Sequence, residues 1–292
     1  MNVRPATRDD AATVAELFGS VEEALLGRPS NFDAEAVLGW WQTIAFETNT
    51  WLFEEDGTLA AAAGGQVHGE RGNGGGAVRP SAQGRGLGTR LLELVERRLA
   101  EEGAVRIHSW ALAADDRASE LFRRHGYREA RRFWEMTVDF EGEPAEPEAS
   151  IETFREEDAP AFHAALEEAF EDHWEPHPET FEVWWARQRA RTNYNPSLWF
   201  VIRDGDEIAA IARNELRTGA GYVGALGVRR PWRGRGYGRD LLLHSFREFR
   251  LRGMTRATLG VDAANPTGAT HLYESVGMHV QQEEIVWEKV LA

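Results

Sequence analysis

Two glycine-rich segments, one in each half of the chain, have the composition of a backbone that closes around an anion. Residues 233–238 read Arg-Gly-Arg-Gly-Tyr-Gly, and residues 83–88 read Gln-Gly-Arg-Gly-Leu-Gly. Each segment follows an apolar, strand-like run and precedes an amphipathic helix. Glycine lets a backbone approach a ligand closely, and the first turn of a helix offers unpaired N–H groups at its positive end. The pattern therefore predicts two sites for a diphosphate group.

The spacing of these glycines differs from two common phosphate-binding motifs. The dinucleotide fingerprint is Gly-x-Gly-x-x-Gly, whereas both segments read Gly-x-Gly-x-Gly. The Gly-Lys-Ser/Thr of nucleoside triphosphatases is absent from the sequence. Arginines in and beside the turns add positive charge for a diphosphate. The predicted binding residues are Arg233, Gly234, Arg235, Gly236, Tyr237, Gly238 and Arg239 in the second half, and Gln83, Gly84, Arg85, Gly86 and Gly88 in the first.

The two turns are part of an internal repeat. Five segments of the first half recur in the same order in the second, at offsets between 144 and 151 residues. Chance similarity does not explain five collinear matches, so the repeat predicts two copies of one domain, residues 1–140 and 150–292. Residues 141–149 between them are acidic and contain two prolines, which indicates a solvated, fairly stiff linker. The matched segments begin at Val3 and Ile151, Trp40 and Trp184, Trp51 and Trp199, Val78 and Val228, and Ala118 and Ala269.

Each copy is predicted to be an α/β domain in which helices flank a central sheet, because helices follow strands throughout. In the first copy, five glycines between residues 69 and 76 predict a mobile or distorted strand. In the second copy, the predicted strands are 151–154, 198–203, 207–217, 221–228, 256–261 and 283–290, and the predicted helices are 158–171, 178–191, 236–252 and 266–276.

Adjacent tryptophans recur in the second helix of each copy, as Trp40–Trp41 and Trp184–Trp185. Neighbouring helix positions point about 100° apart, so one ring can pack in the core while the other faces a cleft. Core packing is predicted for both Trp40 and Trp184.

The composition excludes several classes of protein. The chain has 292 residues, enough for two domains, and its 33 basic and 48 acidic residues give a net charge of −15. Such acidity argues against a nucleic-acid binder that works by bulk charge. The chain has no cysteine, which excludes disulfides, thiolate metal sites and a cysteine nucleophile. Without an apolar run of membrane-spanning length or a signal-peptide core, a cytoplasmic monomer or homodimer without a metal is expected.

The second half resembles the GCN5-related N-acetyltransferase (GNAT) family, which binds acetyl-coenzyme A. In that family the segment Val-x-x-x-x-Arg/Gln-x-x-Gly-x-Gly/Ala carries the pyrophosphate of the cofactor. The likeness extends to the first half, so the resemblance implies two tandem GNAT-like domains, each with a mixed central sheet. The matching residues are Val228, Arg233, Gly236 and Gly238, and in the first half Val78, Gln83, Gly86 and Gly88; a later family segment is matched by Asn265, Ala269, Leu272, Tyr273 and Gly277.

The resemblance also implies roles for single residues of the second copy. Backbone N–H groups around Leu226 and Val228 would polarise the thioester carbonyl, and Asn265 would hydrogen-bond the pantetheine arm. Tyr273 would protonate the departing thiolate, because a phenol with a pKa near 10 keeps its proton at pH 7.

The first copy lacks the two downstream functional side chains. Phe122 stands at the position of Tyr273, and Ala114 stands at the position of Asn265. Phenylalanine has no proton to give, and alanine has no polar side chain. The first copy is therefore expected to be non-catalytic, whether or not it still holds coenzyme A.

Two candidates remain for the general base. Many GNAT members have a glutamate on the strand before the pyrophosphate turn, but Tyr222 stands about there in this sequence. Glu215 on the preceding strand is one substitute. The other is His173 in the loop 171–177, since histidine is a natural base near neutral pH. The acidic residues of that loop favour a cationic acceptor.

These observations predict an N-acetyltransferase that transfers an acetyl group from acetyl-coenzyme A to a primary amine of a small molecule. Direct attack by the amine is expected, since the chain has no cysteine to form an acetyl-enzyme. One alternative is a mycothiol synthase-type enzyme acting on an amino-sugar thiol precursor. The other is a non-catalytic acyl-coenzyme A sensor or binding module.

Overall fold

The computed structural model describes residues 1–30, 32–176, 178–191 and 193–291. The chain forms two compact units. The first unit comprises Met1–Arg132 and Glu283–Ala292, and the second comprises Phe133–Gln282. Each unit has six neighbouring strands and a hydrophobic core of its own. The described residues contain no helix that is both long and apolar enough to cross a membrane.

The first unit is built around six strands that are neighbours in the order β1-β2-β3-β4-β5-β12. Only β4 and β5 run parallel; the other neighbours are antiparallel. The elements are β1 (Asn2–Arg4), α1 (Ala11–Leu26), α2 (Ala34–Trp41), β2 (Thr50–Glu55), β3 (Thr58–His68), β4 (Arg71–Val78), α3 (Leu87–Glu101), β5 (Arg106–Leu112), α4 (Asp116–Arg124), and the last part of β12 (His279–Val290).

The second unit repeats this arrangement with the strand order β6-β11-β10-β9-β8-β7. Here β10 and β11 form the parallel pair. The elements are the last part of β6 (Arg128–Asp139), then β7 (Glu152–Thr153), α5 (Ala159–Phe170), α6 (Phe181–Arg189), β8 (Trp199–Asp204), β9 (Glu207–Arg217), β10 (Ala220–Val228), α7 (Tyr237–Leu251), β11 (Arg256–Asp262) and α8 (Ala269–Ser275).

The predicted α/β fold is confirmed, with every strand and helix predicted for the second copy present. One helix that is shorter than predicted is α8, because the predicted helix 266–276 begins only at Ala269. Gly268 precedes it in a left-handed conformation with φ 75°. Asn265 forms a tight turn with Thr267 just before, so the chain cannot be helical there.

The last strand of each copy lies in a different unit from the rest of that copy, so the units differ from the predicted division at residues 141–149. β6 pairs with β11 from Phe133–Asp262 to Asp139–Arg256, and β12 pairs with β5 from Glu284–Leu112 to Val290–Arg106. The apolar side chains follow the same division. Met136 of β6 lies in the core of the second unit, and Trp287 of β12 lies in that of the first. Sequence similarity cannot show such a crossing, because both copies contain the same strand.

The segment 141–149 has no helix or strand, but it is attached along α7 rather than fully solvated. The backbone N–H of Glu148 donates to the carboxylate of Asp240 at 3.2 Å. Arg250 donates to the carbonyl of Gly142 at 2.7 Å. The segment is thus part of the surface of the second unit.

The glycine-rich strand of the first copy is regular, so the expected distortion is wrong. β4 pairs with β3 over eight consecutive residues, from Val78–Ala61 to Arg71–His68, without a register shift. Its glycines instead permit close packing of α3. A Cβ atom at Gly74 would lie 2.4 Å from Cγ1 of Val95.

The tryptophan pairs behave differently in the two copies. Trp184 is buried in the core of the second unit, as predicted, and Trp185 is partly exposed. In the first unit the buried ring is Trp41, while Trp40 is only partly buried. Trp40 still packs against the core of its unit, so core packing is confirmed for both Trp40 and Trp184, although Trp41 is the more deeply buried ring of the first pair.

Candidate active site

The second glycine turn has the conformation that an anion site requires. Gly234 and Gly236 have φ angles of 79° and 85°, which side chains other than glycine rarely adopt. Gly236 is the N-cap residue of α7, and the first hydrogen bond of the helix runs from Asp240 N–H to the carbonyl of Gly236 at 3.0 Å. The N–H groups of Tyr237, Gly238 and Arg239 therefore have no acceptor within the helix.

The first glycine turn has the same backbone conformation. Gly84 and Gly86 have φ angles of 76° and 77°, and Gly86 is the N-cap residue of α3. The first helical bond runs from Arg90 N–H to the carbonyl of Gly86 at 3.2 Å. The backbone geometry of both turns thus suits a diphosphate.

The third glycine of each turn is explained by packing. A Cβ atom at Gly238 would lie 2.9 Å from Leu272 of α8, and one at Gly88 would lie 3.1 Å from Leu121 of α4. Any larger residue would push the two helices apart. These glycines shape the turn but need not face a ligand.

The side chain that opens each turn braces it from within. Nε of Arg233 donates to the carbonyl of Val228 at 3.2 Å, and Nη1 pairs with Asp172 at 3.0 Å. In the first copy, Nε2 of Gln83 donates to the carbonyl of Val78 at 3.3 Å. These side chains therefore tie each turn to the strand that precedes it.

The other arginines of the turns differ in their partners. Arg85 forms two hydrogen bonds to Glu55, at 2.7 and 2.5 Å, which raise its pKa. Arg235 lies 3.4 Å from Asp204. Arg239, in the first turn of α7, is exposed to solvent. Thus less of the arginine charge is available to a diphosphate than the composition of the turns suggests.

The parallel strands of each unit separate beside these turns. Within the described residues, β10 pairs with β11 only from Gly221 to Val223. From there to Val228, past Leu226, it remains paired with β9 but not with β11. The register with β9 also shifts between Val223 and Ala225, which places a bulge at Gly224. The backbone of β10 beyond the bulge is thereby open to a ligand on its β11 side.

The first unit has the separation but not the bulge. β4 pairs with β5 only from Arg71 to Gly74, and β4 continues to Val78. Its register with β3 is unbroken. The two copies therefore differ in backbone as well as in side chains at the corresponding place.

Tyr273 lies on α8, and its side chain is almost completely enclosed. Burial, together with the neighbouring Tyr222, raises the pKa of Tyr273 to about 12. The phenol thus keeps its proton through the neutral range and can donate it. In the first copy, Phe122 packs against Trp287 and Tyr127, with ring centroids 5.7 and 5.1 Å apart.

Asn265 uses its side-chain oxygen locally. Oδ1 accepts hydrogen bonds from the backbone N–H and the hydroxyl of Thr267, at 2.8 and 2.6 Å. The side-chain amide N–H groups of Asn265 are what remain for a pantetheine arm.

The geometry around Glu215 does not fit a general base. The residue is 5% exposed, and Tyr222 lies opposite it on β10. One carboxylate oxygen accepts from Arg191 at 2.5 Å and the other from Arg217 at 2.9 Å. Both carboxylate oxygens thus already accept a hydrogen bond from a guanidinium group, so we assign Glu215 a positioning role for these arginines in place of the role of base.

His173 has the better environment for a base. Its ring packs on Phe170 at 4.3 Å between centroids, and burial lowers its pKa below the usual 6.5, against the opposite effects of Asp262 and Asp172. The imidazole is therefore neutral at pH 7. The ring of Phe170 would lie 3.3 Å from a Cβ atom at Gly227, which places the loop against β10 beyond its bulge.

Two acids of the loop, Glu171 and Asp172, are paired with arginines, contrary to the expectation that the loop acids attract a cationic acceptor. Asp172 contacts Arg230 at 2.6 Å and Arg233 at 3.0 Å, and both lower its pKa. Glu171 pairs with Arg230 at 3.1 Å. Residue 177 of this loop lies outside the described residues.

Sequence reasoning missed Arg213 on β9. Its guanidinium donates to the carbonyl of the bulged residue Gly224 at 3.3 Å. Comparison of the repeats could have found it, because Gly64 stands at the same ladder position in the first copy.

The comparisons with known proteins agree with this architecture. The model of the Acetyltransferase (GNAT) family matches residues 17–127 and 145–278, more than half of the chain. The chain therefore belongs to the GNAT family and is an N-acetyltransferase with two tandem GNAT domains. The donor used by this family is acetyl-coenzyme A.

Individual relatives extend the likeness over most of the chain. A mycothiol acetyltransferase of Thermobispora bispora is 31% identical over 212 residues, covering 68% of this chain and 70% of that protein. The crystal structure of a GCN5-related N-acetyltransferase from Sphaerobacter thermophilus has a TM-score of 0.86 and 31% identity, covering 99% of this chain and 95% of that one. A tandem GNAT protein from the clavulanic acid biosynthesis pathway, at 15% identity and TM-score 0.72, covers 99% of this chain and 98% of its own, and shares the fold.

Proposed function

We propose that the second copy transfers an acetyl group from acetyl-coenzyme A to a primary amine of a small molecule, and that the first copy does not catalyse. The observation that carries this proposal is the placement of a protonated phenol, Tyr273, in the copy whose β10 is bulged and open. The first copy has Phe122 and an unbroken β4 in the corresponding places. Only the second copy thus combines a proton donor with an opened strand.

The residues present fit coenzyme A. The left-handed glycines and the first N–H groups of α7 suit its pyrophosphate. Leu226 and Val228 offer backbone N–H groups along the open part of β10 for the pantetheine arm and the thioester carbonyl. The side-chain amide of Asn265 can donate to the arm.

Two side chains of this chain handle the protons of the reaction. As the amine nitrogen bonds to the carbonyl carbon and the carbon–sulfur bond breaks, the amine loses a proton and the sulfur gains one. Neutral His173 accepts the proton of the amine, and Tyr273 donates its phenolic proton to the sulfur. His173 then releases its proton to solvent and Tyr273 regains one from solvent, which restores both side chains and balances the cycle.

Matched changes in the two turns test which copy is active. Gly236→Glu and Gly86→Glu each place a side chain and a negative charge where a diphosphate would bind. We expect Gly236→Glu to abolish transfer and Gly86→Glu to retain it, measured as thiol release with a panel of amines. Titration calorimetry with acetyl-coenzyme A counts the sites that remain in each variant. Transfer that survives Gly236→Glu but not Gly86→Glu would assign catalysis to the first copy.

The relatives favour a second candidate function. The protein from Thermobispora bispora is named mycothiol acetyltransferase, which suggests the amino-sugar thiol precursor of mycothiol as acceptor. Tyr222, at the place of the glutamate in many family members, is the residue that departs from this pattern. Comparing transfer to that precursor with transfer to other primary amines separates the two candidates. Acetyl-coenzyme A binding without transfer to any amine would instead favour the sensor alternative.

A further inference from the structure

A group of arginines with no part in the proposed proton transfers lies beside the bulge of β10. Arg213 and Arg217 are on β9, and Arg191 follows α6. Glu215 lies among them and binds Arg191 and Arg217. Three guanidinium groups thus surround one carboxylate, and the cluster is positive in a chain whose net charge is −15.

Arg213 is the member of this cluster that donates no hydrogen bond to a carboxylate within the described residues. Its hydrogen bonds within the described residues go to neutral acceptors, the carbonyl of Gly224 at 3.3 Å and Oε1 of Gln188 at 3.5 Å. The surrounding protein, with Arg191, lowers the pKa of Arg213 to about 10, which leaves it charged at pH 7. An enclosed guanidinium is normally paired with an anion, so this one is suited to receive an anion from a ligand.

The first copy shows that the fold itself does not need an arginine here. Val228 pairs with Ala210 and Val78 pairs with Ala61, so Arg213 and Gly64 stand three residues further along matching strands. A Cβ atom at Gly64 would lie 3.0 Å from Trp40, whose indole covers this position. In the first copy, which we propose is not catalytic, the ring of Trp40 therefore covers the position that Arg213 occupies in the second copy.

We propose that Arg213, assisted by Arg191, binds an anionic oxygen group of the acceptor, so that the acceptor is an amine that also carries a carboxylate or a phosphate. The inference rests on the proposed function, since it concerns the acceptor of the same reaction. The planar guanidinium presents paired donors that match two oxygens of either group. Its contact with Gly224 places the anion beside the bulge, where the acceptor must approach β10. Glu215 holds Arg191 in place and is a positioning residue.

Pairs of amines that differ only in the anion test this assignment. Phenylalanine is compared with phenylalanine amide, and glucosamine 6-phosphate with glucosamine, so that the two pairs distinguish carboxylate from phosphate. We expect the anionic member of at least one pair to have a kcat/KM at least tenfold higher. Arg213→Gln should remove this preference by raising KM for the anionic member, leaving the neutral member within about twofold. Arg256→Gln, on β11 and paired with Asp139, is the control and should keep the preference.

Other outcomes overturn the assignment. An equal kcat/KM for both members of each pair in the unaltered enzyme contradicts an anion site. An equal loss of kcat/KM for both members in Arg213→Gln also contradicts it, because that loss is expected if Arg213 only holds the bulge. Arg191→Gln, at a partly exposed residue, provides a second variant in case Arg213→Gln does not fold. Calorimetry of the same four amines without donor separates this inference from the proposed function. If an anionic amine binds selectively through Arg213 but is not acetylated, only the proposed function is refuted. If neither binding nor transfer is selective for the anionic amine, the anion site is refuted.

Discussion

Tyr273 and Phe122 lie at corresponding places on α8 and α4, and their side chains differ by one oxygen atom. Both rings are buried. In Phe122 the ring only packs, against Trp287 and Tyr127. In Tyr273 the added hydroxyl is a proton donor whose pKa burial raises to about 12. At the residue scale, this hydroxyl is the clearest difference between the copy that we propose to be catalytic and the copy that we propose is not.

Replacement of Tyr273 by phenylalanine should lower kcat at least tenfold, because loss of a positioned proton donor costs about that factor or more. Binding of acetyl-coenzyme A, measured by calorimetry, should not change. Tyr194→Phe is the matched control, since the pKa of Tyr194 is also raised to about 12 but its hydroxyl bonds Glu156 on the surface. Unchanged turnover in Tyr273→Phe would remove this residue from the mechanism.

Replacement of His173 should change the pH dependence of the reaction. The base must be neutral, and burial places the pKa of His173 below 6.5, so kcat/KM should fall as the pH drops through that lowered pKa. His173→Gln should lower the rate and abolish this acidic limb. His244→Gln is the control, because burial also lowers the pKa of His244. Its ring, on α7, packs on Phe200 of β8. An acidic limb that persists in His173→Gln would assign it to another group.

At the scale of elements, the corresponding strands β4 and β10 both use glycine to let a helix pack closely on the sheet. Gly74 of β4 and Gly221 of β10 each lie under a buried side chain of the following helix, Val95 and Phe249. Glycine lowers the intrinsic preference for a strand, but here it allows the helix to approach the sheet. The sequence pattern indicates the low strand preference of these glycines. It does not show the packing of Val95 and Phe249 that offsets this preference.

Gly74→Ala should destabilise the first unit, because its Cβ would lie 2.4 Å from Val95 and the helix must shift. We expect a loss of about 1–3 kcal/mol, as for other overpacked sites. Gly75→Ala is the matched control, since a Cβ there meets no atom within 4 Å. Thermal unfolding followed by circular dichroism measures both variants. Equal midpoints for the two would show that α3 is not packed tightly on β4.

At the scale of the whole molecule, the two structural units do not coincide with the two halves of the chain. The C-terminal strand completes the sheet of the unit that contains the N-terminus, and β6 completes the other. Cutting the chain at the linker would therefore take one strand from each sheet. Fragments 1–140 and 150–292 are not expected to be independent domains, although their sequences suggest that they are.

Two core substitutions test this crossing. Trp287→Ala should destabilise the first unit by about 3–5 kcal/mol, and Met136→Ala should destabilise the second by about 2–5 kcal/mol, because each removes a side chain that is almost fully buried. Hydrogen exchange read by mass spectrometry reports on each unit separately. We expect faster exchange in β5 for Trp287→Ala and in β11 for Met136→Ala. The reverse pattern would restore the linear division of the chain.

The sequence by itself determined the α/β class, the two copies, the strands and helices of the second copy, and the glycine turns. These features depend on local periodicity and on residues a few positions apart, which are visible along the chain. Only the tertiary structure decided that Glu215 is held by two arginines, that Arg213 lies at the bulge and bonds neutral acceptors within the described residues, and that β6 and β12 lie in different units from the rest of their copies. The reason is physical: such properties arise from groups distant in the chain, and the corresponding strands of two similar copies carry no local signal for the sheet with which each one pairs.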